Sequence, residues 1–318
     1  MIKYLNTILD AKGYDTVVLK YLVFLTIIVI IYLFYWYTKS NIRPANMSEG
    51  FSQEQPFVLK TNEQVYDNFY AEVYDELHCT KKRLHWTVEQ ILKMTEPTPK
   101  NSIILDVGSG TGKLVNKLCR MGFSTYGVAK SKEMVEHSEK TYPEIHITLG
   151  NVSDPMLFEN STFTHIICTQ FTIYQIKDKK TFFRNFYHWL KPNAYLILHL
   201  VDDKKFSAIS PLKDDEVQWK PFYKTEPPRQ TDNIAEFEDF QYKQSYKSSD
   251  SKTITYTETF TDKQNNHIRQ NEQTLFMENV DELLALANKE GFILHGKVDM
   301  TECNGDKHQY LYVLERQM

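Results

Sequence analysis

Apolar positions in this chain are distributed in two different ways. Residues 21–37 form one unbroken run without a charge, and Val17 to Leu19 extend it beyond Lys20. Crossing the hydrocarbon of a bilayer takes about 20 helical residues, with about 17 as the lower limit. The run has no polar face, so it predicts a single transmembrane helix over residues 17–37, with Tyr35, Trp36, Tyr37 and Lys39 suited to an interface. A cleaved signal peptide is the competing reading. It fits less well, because the run starts well inside the chain and no small-residue cleavage site follows closely. Lys3, Lys12 and Lys20 precede the run while Lys39 and Arg43 follow it, so charge gives almost no bias in orientation.

Further along, apolar positions come in short runs separated by amphipathic stretches. Ile103 to Val107 reads as a buried strand, since so brief a run does not make a helix by itself. Ser124 to Val128, Ile145 to Leu149, His165 to Thr169 and Tyr195 to Val201 read as four more strands. Between them, Ser131 N-caps a helix to about Thr141, and Asp178 to Leu190 forms another whose apolar face is Phe182, Phe183, Phe186, Trp189 and Leu190. Asn279 to Glu290 is a third helix, closed by Gly291. Ile293 to Asp299 and Gln309 to Leu314 are strands flanking a turn at Asn304, Gly305 and Asp306. This alternation predicts an α/β protein with a doubly wound sheet. Thr253 to Thr261 and Ile268 to Met277 alternate around Asn265 and Asn266, the pattern of a β-hairpin. The hairpin closes an insertion at about 203–277 that is rich in Lys, Asp, Pro and aromatics, including Trp219, Phe222 and Tyr223. Val65 to Leu92 is helical in pattern, with Tyr66, Tyr70 and Tyr74 on one face. Asn41 to Gln55 is polar and contains Pro44, so the organisation expected is an N-terminal segment 1–40, a linker 41–60 and a folded domain 61–318.

The turn after the first strand carries the chemistry. Asp106 ends the strand, and Gly108, Gly110 and Gly112 follow before the amphipathic segment Lys113 to Met121. Glycines at such a turn let the backbone pass close to a ligand, where a Cβ would collide. A dinucleotide-binding turn normally spaces its glycines as Gly-x-Gly-x-x-Gly, whereas only Thr111 separates the last two here. With its flanking strand and helix, the segment resembles the first motif of class I S-adenosylmethionine-dependent methyltransferases, and the resemblance extends over about residues 65–315. It implies a Rossmann-like seven-stranded sheet with an antiparallel last strand. It places Asp106 near the methionine end of S-adenosylmethionine, with Gly108, Ser109, Gly110 and Gly112 lining methionine and ribose. The segment Trp189 to Ala194 resembles the family's "leu-lys-pro-gly-gly" turn with both glycines replaced. Tyr66-Asp67 and Tyr74-Asp75-Glu76-Leu77 resemble its N-terminal lid segment, the alternative being that these tyrosines only pack the helix on the domain.

Two departures stand out. Where the family ends its second strand with an acid that holds the ribose hydroxyls, this chain has Ala129. A charge-assisted hydrogen bond of that kind is worth roughly 1.5–3 kcal/mol. Where the family has "gly-asp-ala" after the third strand, this chain has Gly150, Asn151 and Val152, and the Asn151 amide oxygen still accepts from an adenine amino group. The resemblance puts the acceptor beyond the ends of the fourth and fifth strands, near Thr169, Gln170, Phe171 and Tyr174, with His199 and Asp202 nearby. A hydroxyl or carbon acceptor needs a base, for which His199 is the first candidate and Tyr174 the second, whereas an aligned amine needs little beyond loss of a proton.

Composition narrows the partners. The net charge is −4 with Lys and Arg scattered, which does not indicate binding to a long nucleic acid. Cys79, Cys119, Cys168 and Cys303 have no metal-ligand or redox spacing, and His78 and His85 lack a third ligand, so no metal is expected. Two readings stay open. The first is a single-pass, membrane-anchored methyltransferase for a small-molecule or lipid-associated acceptor, its domain facing the cytosol where the methyl donor is made. The second is a degenerate methyltransferase fold serving as a membrane-bound scaffold, for instance of a viral particle. Ala129, Asn193 and Ala194 favour the second, while Asp106 and the intact glycine turn favour the first.

Overall fold

The structure is a computed structural model that describes residues 21, 24–33, 53, 55–207, 232–237, 239–247 and 252–318. The chain divides into two units, Met1–Gly50 and Phe51–Met318. In the first, residues 24–33 are helical and exposed. Among the described residues no helix is long and apolar enough to cross a membrane, and the remainder of the expected span 17–37 lies outside them. Residues 208–231, with Trp219, Phe222 and Tyr223, also lie outside the described residues.

The second unit opens with a strand, β1 (Phe57–Thr61), and a 3₁₀ turn at Asn62–Val65. This corrects the expected linker 41–60, whose last residues are strand. The helical pattern over 65–92 is two helices, α1 (Asn68–His78) and α2 (Lys81–Thr95). They divide because Thr80 caps the second by accepting from the Arg83 N–H, while Asp67 caps the first by accepting from Tyr70.

The main sheet follows with β2 (Ile103–Val107), α3 (Lys113–Cys119), β3 (Ser124–Ala129), α4 (Lys132–Thr141), β4 (His146–Leu149) and β5 (Phe163–Cys168). A short α5 (Thr172–Gln175) and α6 (Lys179–Trp189) lead into β6 (Leu190–Val201). The expected turn at 190–194 sits inside β6 as a register shift against β5, with Asn193 at φ 59°. The inserted sheet supplies β7 (Asp232–Glu236), β8 (Phe240–Lys247), β9 (Thr253–Asp262) and β10 (Ile268–Phe276). The chain ends with α7 (Val280–Lys289), β11 (Phe292–Met300), a single turn α8 (Thr301–Asn304) and β12 (Asp306–Arg316).

The seven-stranded sheet has the order β11-β12-β6-β5-β2-β3-β4. Strands β6, β5, β2, β3 and β4 are parallel, and β12 runs antiparallel to its neighbours β6 and β11. Its central strands are apolar on both faces because helices cover both: Ile104, Leu105, Ile166, Ile167, Leu196 and Ile197 are all buried. On one face, Phe182, Phe183, Phe186 and Trp189 of α6 fill the core.

The expected hairpin is the centre of a larger unit. Its β9 and β10 belong to a five-stranded sheet of order β1-β10-β9-β8-β7, in which β1 runs parallel to β10 and the rest are antiparallel. Helix α1 is held between this sheet and α4, packing Tyr70, Ala71, Val73 and Leu77 against Met134, Tyr242 and Phe260. Buried Arg269 fixes the start of α1, donating to Asp67 at 2.9 Å and to the Val65 carbonyl at 3.1 Å while stacking over the Phe69 ring. The result is a roof over the carboxyl ends of the parallel strands, where open α/β sheets bind ligands.

Candidate active site

Strand β2 delivers Asp106 and Val107 to the turn, which is pinned when Gly108 and Ser109 both donate to the Val128 carbonyl of β3 (2.9 and 3.1 Å). Gly108, Gly110 and Gly112 all have positive φ. Their roles differ. Gly110 faces open space roofed by Tyr74, whose ring would lie 3.4 Å from an added Cβ. At Gly112 a Cβ would strike Ile145 and Ile147 at 2.6 and 2.8 Å. Gly112 therefore serves helix–sheet packing, and its expected place in the ligand site is corrected.

Three cavities meet under the roof. The largest, about 570 Å³, is lined by Val107, Gly108, Gly110, Ala129, Val152 and Tyr74, among others. A small one of about 40 Å³ is lined by Asp106, Ser109, Thr169, Arg83, Lys113 and His199, among others. A third of about 70 Å³ is lined by Tyr66, by Tyr70, Tyr74 and His78 of α1, and by Tyr246 and Tyr256 of the inserted sheet, among others. Tyr74 and Gln170 line all three, and the Tyr74 hydroxyl donates to the Gln170 amide oxygen at 3.1 Å. Gln170 and Phe171 both have positive φ, at 52° and 63°. Backbone strain of this kind at a strand end is characteristic of ligand sites. The sequence singled out Tyr74 by its place on the tyrosine face of the helix, whereas Gln170 carried no signal beyond its place after β5.

The polar groups around the turn are poised for a charged ligand. Asp106 is buried and has no hydrogen-bond partner among the described residues, and burial pushes its carboxyl up to about 8. The Ser109 hydroxyl is buried without a partner. Arg83 and Lys113 line the same cavity, and Lys113 donates to the Cys79 carbonyl at 2.8 Å. A buried carboxyl that ionises readily only beside a cation, a hydroxyl without a partner, and Arg83 and Lys113, the latter paired with Asp75 at 3.6 Å, fit the ammonium and carboxylate of an amino acid such as the methionine end of S-adenosylmethionine.

Ala129, where the resemblance puts the ribose, lines the large cavity. The Ser131 hydroxyl is already engaged, donating to the Tyr66 carbonyl at 2.6 Å and accepting from Met134 at 3.0 Å. Lys130 pairs with Glu63 at 3.3 Å, and both line the cavity, so Glu63 is a carboxylate there that the sequence did not reveal.

Two expected site residues are corrected. Asn151 is exposed and lines none of these cavities, because its side-chain oxygen accepts from the Ser153 N–H at 3.0 Å in a local turn. Tyr174 lies in the core, its hydroxyl accepting from the Val201 N–H at 2.9 Å, and it lines none of these three cavities. Val152 lines the large cavity and Thr169 the small one. His199 lines the small cavity but is buried against Phe171, and its Nε2 is 3.0 Å from the Gln309 side-chain oxygen. Burial, helped by the nearby charge of Arg83, pushes His199 down to about 3, so it is a poor base at neutral pH.

Comparison with known proteins agrees with this geometry. Residues 104–193 match a family described as a methyltransferase domain. A curated relative from Saccharopolyspora spinosa, dTDP-4-amino-2,3,4,6-tetradeoxy-D-glucose N,N-dimethyltransferase, is 26% identical over 140 residues, 42% of this chain. The chain thereby spans about half, 55%, of that relative's length. Among solved structures, the CcbJ methyltransferase from Streptomyces caelestis superposes with a TM-score of 0.62 at 16% identity, covering 81% of this chain and 100% of that one. CalS10, an amino pentose methyltransferase from Micromonospora echinaspora with bound S-adenosylmethionine, gives 0.53 at 15% identity, covering 78% and 98%. This chain thus matches a methyltransferase-domain family over residues 104–193 and has the fold of S-adenosylmethionine-dependent methyltransferases.

Proposed function

We propose that this protein is an S-adenosylmethionine-dependent methyltransferase acting on a small-molecule acceptor, and that residues 17–37 tether it to a membrane with its domain on the cytosolic side. The observation that carries the reading is the buried, unpartnered Asp106 at the head of a glycine turn that opens into a large cavity. Asp106, Ser109 and Arg83 would hold the amino-acid end, the backbone at Gly110 would allow close approach, and Ala129 with Lys130 would border the ribose. S-adenosylmethionine supplies a methyl group on a positively charged sulfur. The chain's own contribution is to exclude water under Tyr66 and Tyr74 and to align the acceptor at the Tyr74–Gln170 junction. The named activities of the similar proteins, which methylate amino sugars, support an amino nitrogen as the acceptor atom.

The scaffold reading rests on Ala129, where the ribose acid is missing. Calorimetric titration of the full chain separates the two. The enzyme reading expects saturable binding of S-adenosylmethionine, about tenfold tighter in Ala129→Asp, which restores the acceptor. Gly110→Val should abolish binding, since its side chain enters the cavity at φ 53° and meets Tyr74. No binding by the wild type at millimolar ligand, with Ala129→Asp equally silent, would favour the scaffold.

A further inference from the structure

The third cavity borders an ionisable cluster that cofactor binding does not use, with Tyr70 and His78 in its lining and Glu258 and Tyr242 behind them. Glu258 of β9 is 1% exposed and accepts from three donors: Tyr70 at 2.6 Å, His78 Nε2 at 3.0 Å, and Tyr242. His78 Nε2 also lies 2.9 Å from the Tyr70 hydroxyl. This geometry fixes the imidazole. The Tyr70 proton points at Glu258, and a carboxylate offers only lone pairs, so Nε2 must carry a proton. Nδ1 is then the basic nitrogen, and it has no hydrogen-bond partner among the described residues. His78 lines the cavity and is 19% exposed.

A second observation points to a ligand. Gln244 is 3% exposed and lines the same cavity, with its amide nitrogen donating to Tyr242 at 2.8 Å. Its amide oxygen is buried and has no partner. A buried acceptor left without a donor is costly unless something donates to it. Tyr66, Tyr70, Tyr74, Tyr246 and Tyr256 line the same cavity. Tyrosine faces attract cations, and a lone buried acceptor asks for an N–H or O–H donor.

On the reading of this protein as a methyltransferase, we propose that this cavity is the acceptor compartment, that it takes a primary or secondary alkyl amine, and that His78, held by Glu258, receives the proton the amine gives up. An alkyl amine arrives protonated, with no lone pair to attack. Its proton passes to His78 Nδ1, and the imidazolium is held by the Glu258 carboxylate. The freed lone pair then forms the N–CH₃ bond as the S–CH₃ bond breaks, and the electron pair of that bond stays on sulfur as a neutral thioether. The methylated ammonium leaves, and the imidazolium proton goes to solvent. Burial opposes charge on Glu258, yet the donors His78, Tyr242 and Tyr70 hold its carboxyl below the ordinary range. The other charged or titratable groups facing His78 are Tyr74 of its own helix, Tyr256 of β9 and Arg83 of α2, which donates to the His78 carbonyl at 3.3 Å. Glu258 is a positioning residue, and His78 is the residue that touches the acceptor.

The test uses the full chain, with ethylamine, ethanol and trifluoroethylamine as probes, the last being largely unprotonated at neutral pH. In wild type, ethylamine should bind saturably and ethanol about tenfold or more weakly, by calorimetry without turnover. Gln244→Leu should weaken ethylamine about tenfold while S-adenosylmethionine affinity stays unchanged. His78→Gln should lower kcat for ethylamine about a hundredfold with little change in KM, and most of that loss should vanish with trifluoroethylamine. Glu258→Gln should show the same recovery with trifluoroethylamine. Equal binding of ethylamine and ethanol by wild type, a comparison that needs no variant to fold, overturns the proposal. So does an equal loss in His78→Gln with both amines, or a wild type that binds S-adenosylmethionine but neither binds nor methylates ethylamine. Failure to bind S-adenosylmethionine would instead overturn the methyltransferase reading itself.

Discussion

A carboxyl held among apolar groups resists charging, and Asp106 is held so tightly that its proton comes off near pH 8 instead of near 3.8. The unfolded chain loses that proton at the ordinary value, so between about 3.8 and 8 the folded state carries one more proton than the unfolded state. Stability from this group is therefore greatest below the lower value and falls as pH rises through the window, by up to about 1.4 kcal/mol per pH unit. Asp106→Asn should remove that slope and be more stable than wild type at pH 8, as measured by urea denaturation of both from pH 5 to 8. An unchanged slope would mean that Asp106 is already compensated. At this scale the sequence was informative about backbone and poor about side-chain direction. Asp106 and Gly110 were legible because a strand followed by glycines fixes where both stand. Asn151 and Tyr174 point away from the cavities because each accepts one hydrogen bond, from the Ser153 N–H and the Val201 N–H respectively. His78 was visible only as a histidine without a metal partner, since Glu258 lies 180 residues away.

At the scale of elements, buried parallel strands announced themselves because both faces are apolar, and β2 to β6 were recognisable from short runs alone. The five-stranded sheet was harder. Its β8 alternates cleanly, with Phe240, Tyr242, Gln244 and Tyr246 turned inward, but it lies in a stretch whose composition resembles a loop. Strand β1 is five residues long with exposed ends and was read as linker. Its contribution is a full parallel register with β10, from Phe57 opposite Ile268 to Thr61 opposite Glu272. Removing residues 1–50 should therefore leave the melting temperature of the second unit unchanged. Removing residues 1–61 should lower it by several degrees, because β10 loses its edge partner and the 3₁₀ turn under Arg269 loses its anchor. Equal melting of the two truncations, followed by circular dichroism, would show that β1 contributes nothing to the fold.

For the whole molecule, the two units answer to different physics. The second is a charged, folded domain, whereas the run at 21–37 has no charge with which to stay in water. Each buried methylene of such a segment gains about 0.8 kcal/mol, so even part of it inserted in a bilayer outweighs the attraction of a few lysines to lipid headgroups. Lys3, Lys12, Lys20 and Lys39 are too few and too dispersed for an electrostatic attachment, and the net charge of −4 works against one on anionic lipid. Membrane association should therefore be hydrophobic in character. The full chain should float with neutral phosphatidylcholine vesicles in a density gradient and remain there in about 1 M salt, where surface charges are screened within about 3 Å. Residues 51–318 should stay at the bottom while still binding S-adenosylmethionine. Release of the full chain by salt would point to a surface patch on the domain, and failure to float at all would mean that residues 17–37 do not enter a bilayer.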